Sequence, residues 1–115
     1  MAYKPRFSHI FKVLFRRQDV AAAEGLFMEG QIEFESGNQE EALLMFYFGK
    51  RLNSQFAGNF YNYAVALEKT KGPSKKALQA WKDYLRVAEH DVKQSTDAKD
   101  RIRKHVAELE KVLAS

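Results

Sequence analysis

Two stretches of this chain, offset by 34 or 35 residues, share one pattern of large apolar and small side chains. Each stretch has the pattern of two helices joined by a turn that contains glycine, and such units bury their apolar faces by stacking on one another. The repeat therefore predicts a stack of paired helices, with Trp81 in the core where two alanines leave room for its indole. The matched pairs are Leu26 with Phe60, Gly30 with Ala64, Ala42 with Ala77, and Phe46 with Trp81.

Turn and cap signals divide the chain into six helices. Breaks are indicated at residues 36–38, 53–54, 72–74 and 95–97. Asn38 with Glu41 fits a capping box, and Ser74 after Pro73 fits an N-cap. No window alternates apolar and polar residues as a half-buried strand does. We therefore predict an all-α fold, with helices over residues 8–17, 20–36, 39–52, 56–71, 74–89 and 94–113.

The repeated pattern resembles the tetratricopeptide repeat (TPR) family, in which each unit is a pair of antiparallel helices. The family's large apolar, small, turn and aromatic positions match Leu26, Gly30, Gly37, Ala42, Phe46 and Gly49 in residues 23–56, and Phe60, Ala64, Gly72, Ala77 and Trp81 in residues 57–91. The resemblance implies a TPR-like array of helical hairpins, a right-handed α-solenoid, over residues 19–115. Residues 92–113 make no third repeat but predict a capping helix, with one apolar face formed by Ala98, Ile102, Val106, Leu109 and Val112.

Composition and charge narrow the class of function. The chain is 45% hydrophobic and 30% charged, as in soluble globular proteins, and a cytoplasmic location is the default expectation. Residues 19–115 hold 14 bases against 15 acids, which argues against nucleic acid as a partner because phosphate contacts need clustered bases. There is no cysteine, and His9, His90 and His105 are far apart. We therefore expect no metal site, no cofactor and no enzymatic activity.

The resemblance also implies how the protein acts, because TPR proteins bind a peptide or a helix of a partner in a groove lined by the first helix of each repeat. The expected function is protein–protein interaction, as an adaptor or a small subunit of a larger assembly. An alternative stays open for two of the groove residues. Glu29 and Glu33 occupy positions that are usually apolar, and a rotated first helix would bury Phe27 and Phe34 in the core. The expected partner-binding residues are Phe27, Gln31, Phe34, Tyr61, Asn62, Val65, Glu68 and Lys69.

Residues 1–18 form a separate basic segment, with five bases and no acid. The spacing predicts an amphipathic helix, and such a helix suits an anionic membrane surface. Membrane tethering is therefore the alternative function, and a mitochondrial presequence is a weaker variant of it. The expected tether residues are the apolar Phe7, Ile10, Phe11 and Leu14 and the basic Lys12, Arg16 and Arg17.

The predicted helix over residues 39–52 contains seven consecutive apolar residues, at positions 42–48. A surface helix has one apolar stripe, so this helix has more apolar surface than one neighbour covers. We predict that residues 7–15 of the same chain pack on the surplus face. The rival source of cover is a second copy, in a homodimer through residues 39–52.

Overall fold

The computed structural model describes residues 19–115, which form five α-helices and, within that range, no strand. The all-α prediction is confirmed. The predicted helix over residues 8–17, and with it the sixth helix, lies outside the described residues. The helices are α1 (Val20–Glu35), α2 (Gln39–Leu52), α3 (Ala57–Lys71), α4 (Lys75–Ala88) and α5 (Thr96–Ala114).

Side-chain caps and glycine turns fix where these helices begin and end. The side chains of Asp19, Ser74 and Ser95 each accept a hydrogen bond from the backbone N–H three residues later, which satisfies an orphan donor of the first turn. Gly37 and Gly72 end α1 and α3 with φ of 91° and 76°, a backbone conformation that favours glycine.

The capping box predicted at Asn38 is wrong. The side chain of Asn38 makes no cap hydrogen bond at the start of α2. Its Nδ2 atom instead donates to Oε2 of Glu33 on α1, at 3.0 Å. The carboxylate at the end of α1 thus competes for the same side chain, and the sequence pattern alone does not contain this contact.

The helices pack as two antiparallel hairpins and a fifth helix. Helix α1 pairs with α2, α3 pairs with α4, and α5 packs on α4. The two hairpins are joined through contacts of α2 and α1 with α3. The backbone N–H of Asp19 donates to the carbonyl of Leu52 at 2.9 Å, which ties the start of α1 to the end of α2.

Small residues stand where helices approach most closely. A Cβ atom on Gly30 would lie 2.4 Å from the ring of Phe46, and one on Gly49 would lie 2.6 Å from the side chain of Asn59. Ala64 and Ala77 are fully buried beside Trp81, which is 5% exposed. The expected core position of Trp81 is therefore confirmed.

The apolar faces of α2 and α5 differ in detail from the sequence prediction. Met45 and Phe48 of α2 are buried in a cluster with residues of α1, so part of the surplus face is covered within residues 19–115. Leu44 stays 36% exposed. On α5, Val112 is 58% exposed, and Leu113 packs against the core instead. Leu113 lies four residues after the buried Leu109, so it extends the apolar stripe of α5. Val112 lies off that stripe.

Candidate protein-interaction groove

Seven of the eight expected partner-binding residues line one continuous groove. Its first part, the α1–α3 cleft, has a volume of about 180 Å³ and is lined by Gln31, Phe34, Glu35, Phe46, Tyr61, Asn62 and Val65. Its second part, the α3–α5 hollow, has a volume of about 250 Å³ and is lined by Val65, Glu68, Lys69, Trp81 and His105. Val65 belongs to both parts, so the two concavities adjoin along α3.

Phe27 is the expected residue that does not line the groove. Its ring meets the ring of Phe56 edge to face, with a centroid separation of 5.1 Å, and it also lies close to Gly58. Phe34 by contrast lines the α1–α3 cleft while packing against Phe46. The two phenylalanines that the rotated-helix alternative treated together therefore have different positions. Phe27 packs α1 against the start of α3, and Phe34 forms part of the cleft wall.

Tyr61 presents an aromatic surface in the α1–α3 cleft. The side chain is 40% exposed, and its ring lies 5.5 Å from the ring centroids of both Trp81 and Tyr84, in edge-to-face contact. Tyr84 is fully buried, and its hydroxyl donates to Oε1 of Gln94 at 2.7 Å. Burial raises the pKa of Tyr84 above its ordinary value. Trp81 and Tyr84 thus hold the Tyr61 ring in place. An aromatic side chain that is already fixed loses little conformational entropy when a partner packs on it.

Asn62 places a hydrogen-bond donor without a partner in the wall of the α1–α3 cleft. Its Nδ2 atom is buried and makes no hydrogen bond. A buried donor that is left unsatisfied costs about 1–3 kcal/mol. A carbonyl or carboxylate oxygen in the cleft would relieve that cost once a rotation of the Asn62 side chain turned Nδ2 toward it, because this atom is closed to solvent.

Glu68 connects three helices at the second part of the groove. Its Oε1 atom accepts a hydrogen bond from Nε1 of Trp81 at 2.7 Å, and Nε2 of His105 lies 2.7 Å from the same oxygen. The His105 ring also meets Trp81 edge to face, at 5.4 Å between centroids. These contacts hold the Glu68 carboxylate in one orientation, whereas the neighbouring Lys69 is exposed.

Two residues of the groove lining do not follow from the sequence pattern. The repeat predicts Trp81 as a core residue only and gives His105 no role, yet both line the α3–α5 hollow. Their partner Glu68 is 13 residues from Trp81 and 37 from His105. A short sequence motif cannot show a contact between residues so far apart in the chain. The apolar stripe of α5 could have indicated His105, because His105 and the buried Leu109 are four residues apart.

Lys50 lies outside the groove, between α2 and α3. Its Nζ atom lies 4.9 Å from the ring centroids of both Tyr47 and Tyr63, within reach of a cation–π interaction. Burial lowers the pKa of Lys50 from its ordinary value, an effect that the nearby Asp83 carboxylate opposes. Burial likewise raises the pKa of Tyr63. The Lys50 ammonium group therefore packs between α2 and α3. A different lysine, Lys69, lines the groove.

Comparison with protein-family models, with curated proteins and with solved structures gives no match for this chain.

The remaining expectations about sites concern membranes and metals. Within residues 19–115, no helix is both long and apolar enough to cross a bilayer. The same part of the chain holds no group of three or more His, Cys, Asp or Glu residues that could bind a metal ion. Membrane tethering through residues 1–18 stays a prediction, because the residues assigned to it lie outside the described part of the chain: Phe7, Ile10, Phe11, Leu14, Lys12, Arg16 and Arg17.

Proposed function

We propose that this protein is a non-enzymatic protein-interaction module, an adaptor or a small subunit of a larger assembly, that binds a partner peptide or helix in the groove. The observation that carries the proposal is the buried, unpartnered amide of Asn62 beside the exposed ring of Tyr61. Exposed aromatic residues that rest on a rigid core are frequent anchors of protein interfaces. An unsatisfied donor next to such an anchor favours a ligand with a backbone carbonyl to offer.

A TPR-like architecture is part of this proposal. The two hairpins carry small residues at the closest helix contacts, as at Gly30 and Ala64, and aromatic residues beside them, as at Phe46 and Trp81. The first helix of each hairpin, α1 and α3, supplies most of the lining of the α1–α3 cleft. This is the surface that the family resemblance implies for partner binding.

The groove lining defines the chemistry of the partner segment. An apolar side chain would pack on Tyr61 and Val65, where aromatic and aliphatic surface is available. A carbonyl oxygen of the same segment would accept from Asn62. Charged groups of both signs border the groove, with Glu35 near one end and Lys69 near the other. These charges set the orientation and the association rate of the partner more than its affinity.

Replacing Asn62 by alanine should weaken partner binding without weakening the fold. Because the buried Nδ2 of Asn62 has no partner in the protein and its burial is costly, we expect the free energy of unfolding to stay the same or to rise, by at most ~1–3 kcal/mol. Loss of one hydrogen bond to a partner carbonyl should lower affinity ~3- to 10-fold. The measurement uses the full chain to select binders from a displayed peptide library, then titration calorimetry with one selected peptide.

Asn59 is the matched control, since it has the same side chain and lies three residues earlier on the same helix. It is fully buried, and its Nδ2 atom donates to the Ala23 carbonyl at 3.4 Å. Asn59→Ala should therefore lower the free energy of unfolding by ~1–3 kcal/mol while the folded protein keeps its affinity. If Asn62→Ala left the affinity of the selected peptide unchanged, the role of the α1–α3 cleft in binding would be refuted.

A further inference from the structure

The α1–α3 cleft combines apolar walls with one exposed carboxylate. Phe34, Tyr61 and Val65 supply aromatic and aliphatic surface, together with the buried ring of Phe46. Among the described residues that line the cleft, Glu35 of α1 is the one charged residue, and it is exposed. A long side chain with an apolar stem and a charged end would match both parts of this lining.

The carboxylate of Glu35 is available to a partner. Within residues 19–115, none of the ion pairs includes Glu35. Glu33, the preceding acid on α1, differs because it accepts a hydrogen bond from Asn38. An apolar side chain that filled the cleft would remove water from the Glu35 carboxylate without giving it a partner, which is unfavourable. A cationic side chain would give it one, so the cleft favours a basic partner residue.

Tyr61 adds an attraction for a cation in the same cleft. Its side chain is 40% exposed, and contacts with Trp81 and Tyr84 hold its ring in place. A cation within about 6 Å of an aromatic ring centroid is attracted by the π electrons of the ring. Arginine makes this contact more often than lysine, and its planar guanidinium group also pairs with a carboxylate through two parallel hydrogen bonds. The combination of Tyr61 and Glu35 therefore favours arginine over lysine.

The volume of the cleft, about 180 Å³, fits one side chain. Pockets that enclose a whole small-molecule ligand are larger, at roughly 300–1,000 Å³. An arginine stem would pack on Tyr61 and Val65 while its guanidinium group lies at Glu35. The exposed Lys69 lines the neighbouring α3–α5 hollow, which it shares with Glu68. The cleft lining within residues 19–115 contains no lysine or arginine that would repel an arginine of the partner.

We propose that the α1–α3 cleft recognises an arginine side chain of the partner segment, with the guanidinium group paired to Glu35 and the stem packed on Tyr61 and Val65. This inference rests on the proposed function, because it identifies the chemistry of the partner residue that the groove selects. The apolar group that packs on Tyr61 is then the stem of the arginine, and Glu35 determines specificity. An acidic residue at that position of the partner would be rejected, since two carboxylates repel each other.

The test compares an arginine peptide with its uncharged analogue on the full-length protein. Peptides are selected from a displayed library of random sequences, and the selected set should be enriched in arginine. One selected peptide is synthesised with arginine and with citrulline at that position, since citrulline has a similar shape and no charge. In titration calorimetry, the citrulline form should bind the wild type ~3- to 10-fold more weakly, because it loses the ion pair and the cation–π contact.

Two variants on α1 locate this effect. Glu35→Gln should lose most of the difference between the arginine and citrulline forms. Glu24→Gln, which removes an exposed carboxylate of the same helix outside the cleft lining, should keep it. A wild type that binds both forms equally, or a Glu35→Gln variant that keeps the full difference, would overturn the proposal.

Tyr61→Ala separates failure of this inference from failure of the proposed function, and circular dichroism checks that the variant is folded. Gln31→Ala is the second variant, because this lining residue is exposed and its loss leaves the core untouched. Weaker peptide binding to these variants, without any effect of citrulline, would overturn the arginine proposal and keep the groove as the binding site. Unchanged binding to both variants, or a library that yields no binder, would overturn the proposed function as well.

Discussion

Replacing Trp81 by alanine should bring the protein close to unfolding. Trp81 is 5% exposed and packs in the same core cluster as Ala64, Tyr84 and Val106. Truncation of a core tryptophan costs ~3–5 kcal/mol, a large share of the ~5–15 kcal/mol by which a domain is stable. The variant also removes the indole donor of Glu68. Urea denaturation followed by circular dichroism measures the loss.

Trp81→Phe is the control that separates packing from hydrogen bonding. It keeps an aromatic ring beside Tyr61 and Tyr84 but removes Nε1, the donor to Glu68. The free energy of unfolding of Trp81→Phe should lie clearly between those of the wild type and Trp81→Ala. A Trp81→Ala variant with the wild-type urea midpoint would contradict the packing of this core.

Replacing Gly30 by alanine should destabilise the first hairpin although alanine favours helices. The added Cβ would lie 2.4–2.9 Å from three ring carbons of Phe46. That ring is 2% exposed and cannot move into solvent. Overpacking of a tight core costs ~1–3 kcal/mol. We expect a net loss of stability, measured by thermal and urea unfolding.

Gly25 on the same helix is the matched control. A Cβ there meets no atom within 4 Å, so Gly25→Ala should show only the helix preference of alanine, a gain of ~0.8–1 kcal/mol. The helix preference of alanine is common to both variants, so their stabilities should differ by the overpacking cost alone, ~1–3 kcal/mol. Equal effects would mean that α1 and α2 do not approach each other at Gly30 as described.

The helices and their close contacts were predictable because they depend on local signals. The predicted bounds of α2 match the observed Gln39–Leu52, and Ser74 acts as the cap that its position after Pro73 suggests. Gly30 and Ala64 have equivalent positions in the two repeats, and each lies beside an aromatic residue, Phe46 or Trp81. All of this information lies within one repeat unit.

The groove was predictable in outline, and its polar contacts were not. The family resemblance located Gln31 and Val65, which have equivalent positions on α1 and α3. Tyr61 lines the groove as well, although Phe27, its equivalent on α1, does not. The contact of Glu68 with His105 depends on how α5 lies across α3, and no local pattern determines that. The free amide of Asn62 is likewise a result of its surroundings. Such features depend on distances between helices that are far apart in sequence.

Mapping a bound peptide onto the full-length chain by NMR tests whether partners bind in the groove. The isotope-labelled protein is titrated with a peptide selected from the displayed library, and backbone amide shifts are followed residue by residue. Binding in the groove should give the largest shifts in the α1–α3 cleft, at Gln31, Glu35, Tyr61, Asn62 and Val65, and smaller ones at Lys69. Largest shifts on the outer side of α2, at Leu44 and Arg51, with the groove residues unchanged, would show that partners bind elsewhere.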